Sequence, residues 1–240
     1  MRLSIGSASH LRLARIAPAF GMTVTATRGT AVMRRDGFAR TLLPGVPCIV
    51  MPFQSFDLLV AGSVAQPAGC RIEIGLASAA PVPGGPADAG PADAGPADAG
   101  PADAGPAQAS LHRDLSRRIF LQPDLPWSAA FAAGLLGESP DRLRRMLFAE
   151  GAAFGDLCRT QRLMRLLFEA PHRRASLTSL NRSLGWPPGH DLESSFHDRF
   201  GITLDLLRHA TAASDAPRHA GWPARVTPPA AHYWPSLSPA

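Results

Sequence analysis

Two hydrophobic periods divide this chain. Between Met22 and Thr27, Met22, Val24 and Ala26 alternate with Thr23, Thr25 and Thr27. A period of two in β-favouring residues predicts a strand. Cys70, Ile72 and Ile74 alternate with Arg71 and Glu73 and predict another. Cys48 to Met51 and Phe56 to Val60 are short apolar runs between breakers, and Leu43-Pro44-Gly45 reads as a turn. Residues 1–20 are weakly patterned. Four or five short strands over residues 1–80 predict a small sheet or half-barrel.

From residue 111 the period becomes helical. Leu111, Leu115 and Ile119 recur with Arg113, Arg117 and Arg118 between them, and Pro123 and Pro126 end that helix. A helix-turn-helix pattern then appears twice, at Ser128 to Gly151 and at Ser176 to Gly201. Each copy has a short apolar helix, a tight turn and a second helix that ends near a glycine. A helix braced on another in this way is how proteins place a helix in the DNA major groove. Phe154 to Phe168 reads as one connecting helix, about 22 Å long. That length can set two readers in successive major grooves, about 34 Å apart, if the units lean outward. His172, Arg173 and Arg174 follow its end, where cations suit the helix dipole.

Between the two patterns the composition breaks. Pro-Ala-Asp-Ala-Gly runs four times from Pro86 to Gly105, followed by Pro-Ala-Gln-Ala-Ser110. Proline and glycine in every unit oppose both helix and sheet, and no large apolar side chain is there to bury. Residues 81–110 are therefore expected to be a disordered linker acting as a tether. Residues 211–240 are rich in alanine and proline and are expected to be a disordered tail, with Trp222, Tyr233 and Trp234 as a candidate docking motif.

Charge narrows the function. The formal net charge is +5, and all 24 basic residues are arginine. Arginines outnumber acids on both sides of the repeat, which carries only acids. A modest positive balance suits nucleic acid, and every cationic contact to phosphate or base must come from arginine. Three cysteines, Cys48, Cys70 and Cys158, lack zinc spacing and form no even set for disulfides, so they read as reduced thiols of a cytoplasmic protein. No apolar run reaches membrane-span length. His10 is the one histidine in the first 110 residues, which argues against a metal-binding cupin. Asp57 and Glu73 read as solvated rather than as a catalytic pair. No Gly-x-Ser-x-Gly, phosphate loop or metal cluster is present, so no enzyme and no cofactor is expected.

In the first unit, Ser139-Pro140-Asp141 is a helix start, with serine at N-cap, proline at N1 and an acid in the first turn. At 100° per residue Leu143, Met146 and Leu147 share the core face. Asp141, Arg144, Arg145, Phe148 and Ala149 share the outer face. Arginine forks pair bidentately with guanine or phosphate, and Phe148 suits a thymine methyl. In the second unit Leu192, Phe196 and Phe200 make the core face, while His190, Asp191, Ser194, His197 and Asp198 face outward without an arginine. The first reader is therefore expected to dominate.

These residues resemble a known family. Ser139-Pro-x-x-Leu143-x-Arg145, Glu150-Gly151-x-x-Phe154, Arg162-Leu163, Gly185-Trp186, Leu192-x-x-x-Phe196, Arg199-Phe200-Gly201-Ile202-Thr203 and Arg208 are similar to the DNA-binding domain of AraC/XylS transcription regulators. The likeness covers residues 111–210, and Trp127 to Ala170 is nearest to the acid-resistance and virulence regulators of that family. Asn181, Ser194 and Leu204 depart from residues usual in the family, an alanine, an arginine and a proline. The resemblance implies an α+β chain with an all-α, seven-helix double helix-turn-helix domain behind the small β-rich domain. It also implies promoter regulation, usually activation. DNA-binding residues are expected to be Asp141, Arg144, Arg145, Phe148, His190, Ser194 and His197. Expected partners are double-stranded promoter DNA, RNA polymerase, a small-molecule effector of unknown identity and a second copy of the chain. The alternative is an interaction protein that keeps the fold without reading DNA.

Overall fold

A computed structural model describes residues 1–75, 110–171, 176–214 and 232–233. The expected linker up to Ala109, residues 215–231 and 234–240 of the expected tail and the His172-Arg173-Arg174 cluster lie outside these residues; Ser110 and residues 211–214 instead belong to helical structure. The N-terminal part is an eight-strand sandwich rather than four or five strands. Its strands are β1 (Arg2–Ser7), β2 (His10–Ile16), β3 (Met22–Arg28), β4 (Thr30–Arg35), β5 (Phe38–Leu42), β6 (Pro47–Val50), β7 (Phe56–Ala61) and β8 (Ala68–Ile74). One sheet runs β1-β8-β3-β6 and the other β2-β7-β4-β5. A short ninth strand, β9 (His232–Tyr233), pairs in parallel with Cys48 and Ile49 of β6, so this part of the expected tail takes up a sheet edge.

The strands that sequence pattern passed over have physical reasons for their weak signal. In β2, Leu11, Leu13 and Ile16 are all buried, but the register shifts between Leu13 and Ile16. Arg15 takes a φ of 50° there. A bulge puts one extra residue into the strand and so breaks the two-residue alternation. Asp57 holds that bulge: one carboxylate oxygen accepts from the Arg15 amide at 2.8 Å and the other from the Arg12 guanidinium. Asp57 is thus a structural clasp rather than a solvated charge. Burial opposes its ionisation, but Arg12 and the Arg15 amide outweigh that and hold its pKa below the usual carboxylate value. β5 is an edge strand with one buried residue, Leu42, and gives no alternation.

The helical part has seven helices among the described residues. These are α1 (Leu111–Leu121), α2 (Ala129–Leu136), α3 (Pro140–Ala149), α4 (Phe154–Glu169), α5 (Leu177–Ser183), α6 (Leu192–Phe200) and α7 (Leu204–Ser214). The connector thus closes one residue beyond the expected Phe168. No described helix is long and apolar enough to cross a membrane. All three cysteines are free and buried.

The core is not divided as the sequence order suggests. One cluster unites the sandwich interior with Leu163, Met164, Leu166, Leu167 and Phe168 of α4, and continues through Leu180, Phe196, Phe200, Leu204 and Leu207. α7 lies along β1 and α6 against β2, covering an edge strand of each sheet. Covering an exposed edge removes its tendency to pair with another chain. A second, smaller cluster joins Leu115, Ile119, Trp127, Ala132, Ala133, Leu143, Leu147 and Cys158. It holds the first helix-turn-helix unit together on the N-terminal half of α4. α1 reaches the sandwich separately: the Phe20 and Phe120 rings lie 5.6 Å apart, and Arg113 and Arg117 stand over the Phe53 ring.

Candidate nucleic-acid interface

The helix expected to be the first reader, α3, starts as its sequence dictates. The Ser139 hydroxyl accepts from the Arg142 amide at 3.2 Å, with Pro140 at the first helical position. Leu143 and Leu147 are fully buried, one turn apart. Met146, expected in the core, is 37% exposed. The i, i+4 pair alone meets the first unit's core, and Met146 sits beside that narrow stripe. Phe148 is 84% exposed, on the outward side where the pattern placed it. Asp141, Arg144 and Arg145 are exposed as well.

These charged residues are not equivalent. Arg144 pairs with Asp141 at 2.7 Å, and Arg142 with Glu138 at 3.2 Å. Exposed pairs of this kind hold their partners weakly and yield readily to a phosphate. Arg145 has no ion pair among the described residues and stands free. Arg142 was not among the expected contacts, yet it is exposed on the same helix.

The helix expected to be the second reader, α6, buries Leu192, Phe196 and Phe200 as expected. Asp191 is exposed, as expected, and is also the N-cap of α6. Its carboxylate accepts from the Glu193 amide at 2.9 Å and from the Ser194 hydroxyl. The Ser194 hydroxyl, then the Glu193 and Ser194 amides, lower the Asp191 pKa below the ordinary value. Ser194 is therefore occupied by the cap of its own helix. His190 precedes the cap, off the helix face, and its carbonyl accepts from the Trp186 indole at 3.1 Å. His197 is exposed, 4.0 Å from Asp198. Gly201, at φ 74°, closes α6 in the left-handed conformation that glycine takes without strain. Just before Gly201, the Arg199 carbonyl accepts from the Arg15 guanidinium at 3.1 Å, which ties the end of the reader to the bulge of β2.

The two units meet at Gly185. A Cβ there would lie 2.7 Å from the Pro123 carbonyl oxygen and 3.1 Å from the Arg162 guanidinium. Arg162, expected simply along the connector, is buried and donates to the carbonyls of Pro123 and Leu125 at 3.1 and 3.2 Å. It therefore pins the loop after α1 against the turn of the second unit.

Solved structures share this arrangement. ToxT from Vibrio cholerae superposes over 88% of this chain and 98% of its own, with a TM-score of 0.59 and 9% identity. The fold is the ToxT fold. It is the AraC-type arrangement that the sequence resemblance implied. ToxT of strain SCE256 with an unsaturated fatty acid bound matches over 89% of this chain and 96% of its own, at a TM-score of 0.57 and 8% identity. ToxT of strain O395 bound to (E)-4-(8-methylnaphthalen-1-yl)but-3-enoic acid matches over 86% and 98%, at 0.54 and 9%. No family model matches the chain, and no curated protein matches its sequence. Identities this low carry the fold alone: a β-sandwich followed by a helical region.

Proposed function

We propose that this protein is a sequence-specific DNA-binding transcription regulator, an activator, that acts by binding rather than by catalysis. In this reading residues 1–80 form the sensor domain, 81–110 the linker, 111–210 the DNA-binding domain and 211–240 the tail. α3 and α6 enter successive major grooves, and α3 dominates. The observation that carries the reading is the outer face of α3, where exposed Arg145 stands free beside Arg144 and Phe148. On α6 the Ser194 hydroxyl is engaged by Asp191, and no arginine is fully exposed. Promoter DNA is the principal partner, with RNA polymerase and a second copy of the chain as further ones, in the cytoplasm. The acids bound to ToxT extend the proposal to a small-molecule effector.

The test is a titration of each variant on its own operator at several salt concentrations. One bidentate arginine contact gives about 1–3 kcal/mol of base discrimination, so Arg145→Ala should weaken specific binding about tenfold or more. Ser194→Ala should change it little. Affinity should fall steeply with salt, as several phosphate contacts require. If the two substitutions cost the same, the ranking of the readers is wrong. Binding that ignores both sequence and salt would return the alternative, an interaction protein on a DNA-reading fold.

A further inference from the structure

The two hydrophobic cores meet along α4, and at their seam lies a cavity of about 270 Å3. Trp127 faces it from the first unit's core and Trp186 from the core shared with the sandwich. α4 supplies Phe154, Cys158, Arg159 and Arg162. Both indole N–H groups are already used: Trp127 donates to the Gln122 carbonyl at 2.7 Å and Trp186 to that of His190. What the tryptophans offer the cavity is apolar ring. The cations face no opposing charge, because no carboxylate lines the cavity.

Arg162 sharpens this asymmetry. It is 5% exposed, and its guanidinium meets two neutral carbonyls and no carboxylate among the described residues. A buried cation compensated only by neutral dipoles is a costly arrangement, and an anion beside it relieves that cost. Arg159 is exposed on the same helix, where it can meet the same anion. Gly155 marks where the cavity opens to solvent, for it is itself exposed. It is the second residue of α4 and lines the cavity, yet a Cβ there would meet nothing within 4 Å. Glycine in a helix costs stability relative to alanine. The exposed position leaves room for a larger side chain, which would extend over the cavity.

We propose that this cavity is a ligand site for a compact apolar monoanion: one carboxylate, meeting Arg159 and Arg162, on a phenyl-sized body held between Trp127 and Trp186. The small volume and the aromatic walls set the size and apolar character, and the two guanidinium groups set the charge. A ligand there touches both units at once and fixes the angle between α3 and α6. That coupling rests on the reader function proposed above.

The full chain, without DNA, is titrated by calorimetry with 3-phenylpropionate and with its neutral isostere 3-phenylpropanamide. The carboxylate should bind about tenfold or more tighter than the amide, the scale of one charge-assisted contact. Gly155→Leu, which fills the space, and Arg159→Gln should each weaken binding about tenfold or more. Arg159 is exposed, so Arg159→Gln tests the charge even if Gly155→Leu lowers the melting temperature. Equal affinity for acid and amide, unchanged affinity in a folded Arg159→Gln, or no heat with millimolar 3-phenylpropionate each overturns the site. A second titration, on operator DNA, should show a several-fold change in affinity when 3-phenylpropionate saturates the chain. Ligand binding without that change overturns the coupling and leaves the site standing. A chain that binds 3-phenylpropionate and no DNA overturns the regulator reading instead.

Discussion

Glu150 closes α3, at the end of a helix where the dipole disfavours a carboxylate. It stays charged there because it serves another helix. Its oxygens accept from the Ser110 hydroxyl at 2.8 Å and from the Leu111 and His112 amides at 2.9 and 2.8 Å, capping the start of α1. Burial alone would raise its pKa; the His112 amide, the Ser110 hydroxyl, the Leu111 amide and the His112 ring outweigh burial and bring it to about 2. A folded pKa below the unfolded one means stabilisation that is complete above the ordinary value of 4.5 and fades as pH falls towards about 2. The melting temperature of wild type should therefore exceed that of Glu150→Gln at neutral pH, with the gap closing through that acid window. A gap that stays constant from pH 6 to about pH 3 would rule out the charged cap. The motif Glu150-Gly151 was visible in the sequence, but its partner was not, since a cap reaching back from Glu150 to Ser110 leaves no local pattern.

At the scale of elements, the helices were legible because each carries its own signals. Ser139-Pro140-Asp141 marked α3 before any contact was known, and the structure gives Ser139 the capping bond it promised. Ser139→Ala removes that bond and should cost about 1 kcal/mol. In a chain of this size that is a fall of about 2–4 °C in melting temperature. Ser139→Asp, which restores an acceptor at the positive end of the helix, should recover it, and failure to recover would mean that the hydroxyl acts elsewhere. Strands were less legible because their signal depends on neighbours. β3 and β8 are central in their sheet and alternate over Met22 to Ala26 and Cys70 to Ile74. β2 loses its alternation to a bulge, and β5 is an exposed edge. On the readers, periodicity found the exposed side of α3 but not the internal bonds of α6. Asp191 and Ser194 read as surface groups from spacing alone, whereas the cap between them belongs to local geometry.

At the scale of the whole molecule, sequence order and packing order differ. Composition places the break at the repeat, between sandwich and helices. Packing instead makes the second helix-turn-helix unit continuous with the sandwich core, while the first unit's smaller core is complete within α1 to α4. Sequence pattern could not reveal this: Phe196, Phe200, Leu204 and Leu207 look the same whether they bury against helices or against strands. The two units should respond differently when the sandwich is removed. In an isolated fragment of residues 110–214, Leu143, Leu147, Ile119 and Trp127 keep their partners, whereas α6 loses β2 and α7 loses β1. Hydrogen exchange on that fragment should find α2 and α3 protected and α6 and α7 exchanging much faster than in the full chain, because local opening follows lost apolar contacts. Uniform protection across α2 to α7 would mean that the second unit is self-sufficient and that its contact with the sandwich adds little. If the expected gradient appears, the sandwich steadies α6 and α7 directly through β1 and β2, and a change inside the sandwich reaches α6 without passing through the Pro-Ala-Asp-Ala-Gly repeat.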